Sequence, residues 1–210
     1  MTGDLSSWPH VYRPGEDGAP TFLMLHGTGS SEQEILGLAE AMDPTAAVLS
    51  PRGRISENGM RRWFRRIEEG VFDVDSVRSE AAELAAFVEW ARSAYGLDAR
   101  PITAIGFSNG ANMALALAIL HPASVSTVVA FSGMYPFADE SLSVRLDALD
   151  VVLLNGDADP MAPSASVDVL EREAVAAGAS VTRLTRSGSH GIAPSEIAAA
   201  QDWLKARADG

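Results

Sequence analysis

The stretch Pro101-Ile102-Thr103-Ala104-Ile105-Gly106-Phe107-Ser108-Asn109-Gly110, followed by the apolar run Ala111 to Leu120, decides how the chain is read. Its first five residues are partly β-branched and lack helical periodicity, which predicts a strand. The run from Ala111 onward is nearly all Ala, Leu, Met and Ile, and predicts about three turns of buried helix. Between them the chain must reverse sharply with a serine at the apex. A bare G-x-S-x-G is common, but between a strand and a helix it is a nucleophile elbow. The serine is then held in a strained conformation, so Gly106 and Gly110 supply the space that side chains would fill. The hydroxyl of Ser108 stands clear of the backbone, beside a helix N-terminus that favours developing negative charge.

Outward from this centre the chain alternates strand and helix. His10-Val11-Tyr12-Arg13 and Thr21-Phe22-Leu23-Met24-Leu25 read as two strands of a hairpin around Pro14 to Gly18. Ser31-Glu32-Gln33-Glu34 has the capping-box pattern and opens a helix that Asp43-Pro44 stops. Ala46 to Leu49 is the next strand. Residues 51–74 have no clear regularity, which in a compact domain marks a functional or mobile segment. A helix from about Asp75 to Tyr95 follows, with Gly96 as its cap. After the elbow come strands near Val125–Phe131, Val151–Leu154 and Val181–Leu184, and helices near Pro163–Ala177 and Pro194–Arg207. Such alternation predicts an α/β fold: a mostly parallel central sheet covered by helices on both faces. Sites in such sheets lie beyond the C-terminal ends of the strands.

The 210 residues form one expected domain, 1–210, with 51–74 as a lid or substrate loop. The formal net charge of −12 argues against nucleic acid or an anionic membrane surface as partner. There is no cysteine, which removes disulfides, thiolate metal ligands and a cysteine nucleophile together. Met1-Thr2-Gly3-Asp4 has neither a basic start nor an apolar core, so no secretory signal is expected and the location is read as cytoplasmic. The most apolar run is about half of what a bilayer span needs, so no stable membrane insertion is expected. A homodimer is left open.

A serine hydroxyl needs a base. His10 lies in the opening strands, and His26 ends a strand where an imidazole commonly braces a loop. His121 sits roughly 15–18 Å from Ser108 by helical rise. His190 lies in the glycine-flanked loop after the last strand, where the order Ser, Asp, His expects the base. The acid should follow the strand near Val151. Asp157 and Asp159 are both candidates, and Asp159-Pro160 is favoured because proline holds the loop just past the carboxylate, leaving Asp157 to cap the turn. The acid would set the tautomer of His190. Oxyanion donors would be the backbone N–H groups of Asn109 and Thr28. In the run Arg61-Arg62-Trp63-Phe64-Arg65-Arg66 the arginines read as solvated or paired with acids such as Glu68 and Glu69. Trp63 and Phe64, with Met60 and Met134, read as substrate-lining.

His26-Gly27-Thr28-Gly29, Gly106-Phe107-Ser108-Asn109-Gly110, Asp159-Pro160-Met161-Ala162-Pro163 and the loop around His190 resemble the phospholipase/carboxylesterase family of small α/β-hydrolases, which includes acyl-protein thioesterases. Ser50-Pro51-Arg52-Gly53 with Glu57-Asn58-Gly59-Met60 resembles its bacterial carboxylesterase branch. The resemblance runs from about His10 to Leu204 in unbroken motif order. It implies an α/β-hydrolase fold without a separate cap domain and a serine esterase acting on small esters through an acyl-enzyme. It also implies Ser108, Asp159 and His190 as triad, Thr28 and Asn109 as oxyanion donors, and no metal or cofactor. Thioesterase or lysophospholipase activity is the neighbouring reading, and a non-catalytic ligand-binding fold the distant one. Two positions depart from the family pattern: Ser189 stands where many members have glycine, and Ser30 follows Gly29 where many have a second glycine. Both bear on the pocket mouth.

Overall fold

The computed structural model describes residues 4–97 and 100–208. A 3-10 turn at Leu5–Ser7 precedes β1 (His10–Arg13), β2 (Thr21–Leu25), α1 (Leu36–Met42) and β3 (Ala47–Pro51). Four short strands follow: β4 (Ile55–Glu57), β5 (Met60–Arg62), β6 (Arg66–Glu68) and β7 (Val71–Phe72). The remainder alternates as α2 (Val74–Tyr95), β8 (Ile102–Phe107), α3 (Asn109–Leu120), β9 (Thr127–Phe131), β10 (Asp150–Gly156), α4 (Ser164–Ala176), β11 (Ser180–Arg186) and α5 (Pro194–Ala208).

Seven strands form the central sheet in the order β1-β3-β2-β8-β9-β10-β11. All its pairings are parallel except that of β1 with β3. This is the mostly parallel sheet of the α/β-hydrolase fold, with the chain order reversing direction between β2 and β8. Alternate side chains of one strand serve opposite faces. Leu23 and Leu25 of β2 pack with α2, α3 and α4, whereas Phe22 and Met24 pack with α1 and α5. Ile102 and Ala104 of β8 join the first layer, and Ile105 and Phe107 the second. Being covered twice explains why these strands read as unbroken apolar runs. Helix α3 is buried along nearly its whole length. Among the described residues no helix is long and apolar enough to cross a membrane.

The opening pair of strands differs from the sequence reading. β1 and β2 are not a hairpin, because β3 lies between them and pairs antiparallel with β1 and parallel with β2. Thr21 to Leu25 are buried throughout, which suits an interior strand with parallel neighbours on both sides. β1 is only half-buried along its length and takes the edge.

Residues 51–74 differ too. They fold as two small antiparallel hairpins, β4–β5 and β6–β7. Asn58 and Gly59, both at positive φ (51° and 80°), make the two-residue turn between β4 and β5. Asn-Gly is the strongest short hairpin signal, and it stood in the sequence. Strands of two or three residues show too little alternation to be read from periodicity.

Candidate active site

β8 delivers the chain to Ser108 and α3 carries it away. Ser108 has φ 54° and ψ -120°, a region non-glycine residues seldom adopt. The turn is held from both sides. Ser108 N–H donates to the Phe131 carbonyl at 2.9 Å, and the Ser108 carbonyl accepts from Asn112 N–H at 3.0 Å. A Cβ on Gly106 would overlap the backbone of Gly110, and one on Gly110 would overlap the Leu25 carbonyl oxygen. Both positions therefore require glycine on steric grounds. Although Ser108 occupies the N-cap of α3, its hydroxyl makes no capping hydrogen bond. The strained backbone has turned it away from the role serine usually fills there.

His190 and Asp159 meet directly. His190 Nδ1 donates to Asp159 Oδ2 at 2.8 Å. Asp159 Oδ1 accepts from the N–H groups of Met161 (2.8 Å) and Ala162 (3.1 Å). The Asp159 side chain is fully enclosed, with 0% exposure against 17% for that of His190. Both carboxylate oxygens thus have fixed tasks, and the imidazole holds its Nδ1–H tautomer. The His190 ring lies against Phe107, with centroids 5.1 Å apart. Phe107 is the residue before Ser108, so the fold brings His190 and the elbow to one place at the ends of β8, β10 and β11. Asp157 serves the histidine loop instead: its Oδ1 accepts from Gly188 N–H at 3.0 Å.

On the opposite side stands the loop after β2. Thr28 is half-buried, and its Oγ1 accepts from Arg62 Nη1 at 3.1 Å. Gly29 N–H donates to the Arg61 carbonyl at 2.9 Å, tying the loop to β5. His26 braces the loop from within: Nδ1 donates to the Gly27 carbonyl (2.8 Å) and Nε2 accepts from Gly53 N–H (3.0 Å). Burial holds its imidazole below the ordinary value, in keeping with a neutral ring that must accept a hydrogen bond. The Asn109 side chain is also engaged, its Oδ1 accepting from Trp63 N–H at 2.8 Å.

Trp63 and Phe64 do not take the substrate-lining place expected of them. They are 2% and 0% exposed and sit in the core layer of α2 and α3. Trp63 Nε1 donates to the His26 carbonyl at 2.8 Å. Their apolar area is worth more buried than facing a solvated cleft, so they anchor the hairpins from below. Met134 is likewise nearly enclosed, with its N–H donating to Asn112 Oδ1 at 2.8 Å. Met60 is 39% exposed and lies beside Gly29. Among the arginines, Arg66 pairs with Glu57 and Glu69 and Arg65 with Asp73, as surface pairing predicts. Arg62 is the exception. It is 4% exposed, and besides Thr28 it donates to the Phe64 carbonyl and faces Glu57. Nothing in a run of four arginines distinguishes the one that turns inward.

Known proteins resemble the chain in sequence and in fold. The chain is 32% identical over 196 residues to the putative hydrolase MhqD of Bacillus subtilis, covering 93% of this chain and 97% of that one. It is 28% identical over 181 residues to the esterase YpfH of Escherichia coli, covering 82% and 75% of the two chains. The crystal structure of a Bacillus cereus carboxylesterase superposes with a TM-score of 0.90 at 35% identity, covering 95% of this chain and 94% of that one. The sequence profile of the phospholipase/carboxylesterase family matches residues 7–208. The chain belongs to that family, and is a hydrolase built on the α/β-hydrolase fold.

Proposed function

We propose that this hydrolase is a serine esterase in which Ser108 is the nucleophile, His190 its base and Asp159 the group that orients the base. The observation that carries the proposal is the contact of His190, anchored by Asp159, with Phe107 beside the strained Ser108. In the first step the Ser108 hydroxyl oxygen attacks the ester carbonyl while His190 Nε2 takes its proton. The tetrahedral oxyanion receives hydrogen bonds from the backbone N–H groups of Asn109 and Thr28, each typically worth about 3–4 kcal/mol in the transition state. The first N–H groups of α3 add their dipole on the same side. His190 then returns the proton to the departing alcohol, leaving an acyl group on Ser108. Water, deprotonated by the same imidazole, attacks the acyl carbon and releases the acid. Asp159 stays ionised throughout and stabilises the imidazolium.

The small ester is the substrate class this reading takes. The hairpins of residues 55–72 are the cover, and Met60 beside Gly29 supplies apolar surface at the mouth. A fluorophosphonate should label the peptide containing Ser108. Ser108→Ala should abolish labelling and lower p-nitrophenyl acetate turnover by roughly 10⁴–10⁶. Labelling elsewhere, or turnover surviving in Ser108→Ala, would remove the proposal.

A further inference from the structure

The loop that carries His190 is gripped by one guanidinium. Arg186, the last residue of β11, donates through Nη2 to the carbonyls of Ser189 (2.8 Å) and Gly191 (3.0 Å), the residues on either side of His190. Its Nη1 reaches the Ser187 carbonyl at 3.4 Å. Its Nε donates to Glu196 Oε2 at 2.6 Å. Glu196 is only 5% exposed, and the same oxygen accepts from Ala193 N–H at 2.8 Å at the start of α5. The loop has shaped itself to this grip. Gly188 has φ 136°, and a Cβ there would overlap Arg186 Nη1. From the other side Ser132 Oγ donates to the Gly191 carbonyl at 3.1 Å.

We propose that Arg186 is a positioning residue for His190, clamping the two carbonyls that flank it so that Nε2 stays directed at Ser108. The inference rests on the triad reading above and extends it. Arg186 touches no reacting atom. A guanidinium suits the task because its donors form a rigid planar fork, so one buried carboxylate on Nε sets the direction of the other arms. Lysine is a point charge on a flexible stem and cannot hold two carbonyls in fixed relation. The hydrogen bond to Asp159 sets the tautomer of the imidazole, and the clamp sets where its backbone stands. Displacing a reacting group by about 1 Å typically lowers rate about 100-fold.

The test uses the full chain and its Arg186→Lys and Arg186→Met variants with p-nitrophenyl acetate. The clamp predicts that kcat falls about 10- to 100-fold in both, with KM within about twofold. Lysine should not rescue, although it keeps the charge. The downfield proton resonance of the His190 Nδ1–H shared with Asp159 should broaden by exchange with water in both variants. Should Arg186→Met leave Glu196 too poorly solvated to fold, Arg186→Met/Glu196→Met removes both charges together and carries the same kinetic expectation. Loss of kcat only in proportion to the unfolded fraction, with the resonance unchanged, would overturn the proposal. His190→Ala, run alongside, separates the two readings. If it keeps wild-type turnover the triad has failed, whereas an inactive His190→Ala beside a fully active Arg186→Met overturns the clamp alone.

Discussion

Around the elbow stand two walls, one bearing His190 and the other Thr28. In the first, Arg186 reaches Glu196, Ser189 and Gly191 across separations of 10, 3 and 5 residues. Longer ties join His190 to Asp159 and Gly188 to Asp157, each across 31 residues, and Gly191 to Ser132 across 59. In the second, the ties from His26 to Gly53, from Thr28 to Arg62, from Trp63 to His26 and from Trp63 to Asn109 span 27, 34, 37 and 46 residues. The histidine wall is held by charge-assisted hydrogen bonds, while the Thr28 wall stands on buried aromatic rings. The lesson is that position is enforced by different currencies on the two sides. Substitutions in the first should act on turnover before stability, and substitutions in the second should move both.

The strongest break in that comparison is Asp159→Asn. The amide keeps an acceptor for the N–H groups of Met161 and Ala162, so the thermal midpoint should move by no more than a few degrees. It cannot hold the required tautomer, and kcat for p-nitrophenyl acetate should fall about 10⁴-fold. A large loss of stability would show that this wall, too, is structural first. Trp63→Ala comes next: it should cost about 3–5 kcal/mol in chemical denaturation, because the ring is fully enclosed. It should also lower kcat, since the indole N–H that holds the His26 carbonyl is lost and the backbone N–H that holds the Asn109 side chain loses its buried anchor.

Arg62→Met sharpens the contrast within the Thr28 wall. Losing the hydrogen bond to Thr28 Oγ1 should reduce kcat about tenfold by loosening the loop proposed to hold the oxyanion. Steady-state kinetics should place that loss in kcat rather than KM. The smallest effect is a pH dependence of stability. His26 is depressed by burial below its ordinary 6.5, so the unfolded chain takes up this proton at a higher pH than the folded one does. Its contribution is complete above about pH 6.5 and is lost as the pH falls further. Thermal midpoints should therefore drop between about pH 7 and pH 5, and less so in His26→Gln. His121, also depressed by burial, contributes in the same direction and should account for part of the remaining slope.

Much of the architecture was legible because the elements of the central sheet are long and covered twice. The elbow was legible for a different reason: its two glycines are steric requirements, and a steric requirement leaves a mark on the sequence. The partner of β1 was not legible. A half-buried edge strand carries no record of which neighbour it pairs with, and the adjacent strand in the chain was the wrong one. Trp63 and Phe64 show a further limit. An aromatic pair in an irregular segment reads equally well as pocket or as plug, and only the layer beneath it decides. Arg186 carries no mark of its role in the sequence, since one arginine at a strand end is ordinary until its carbonyl partners are seen.

What the chain's own letters determined is the order of its elements, the apex serine with its glycine flanks, and the loops from which a base and an acid could come. These follow from local sterics and from periodic burial, which act over a few residues. The tertiary structure alone decided which arginines turn inward, that β3 separates β1 from β2, and how the two walls are braced. Those outcomes depend on hydrogen bonds and packing between residues tens of positions apart, where the free energy belongs to the pair and neither residue reveals it alone.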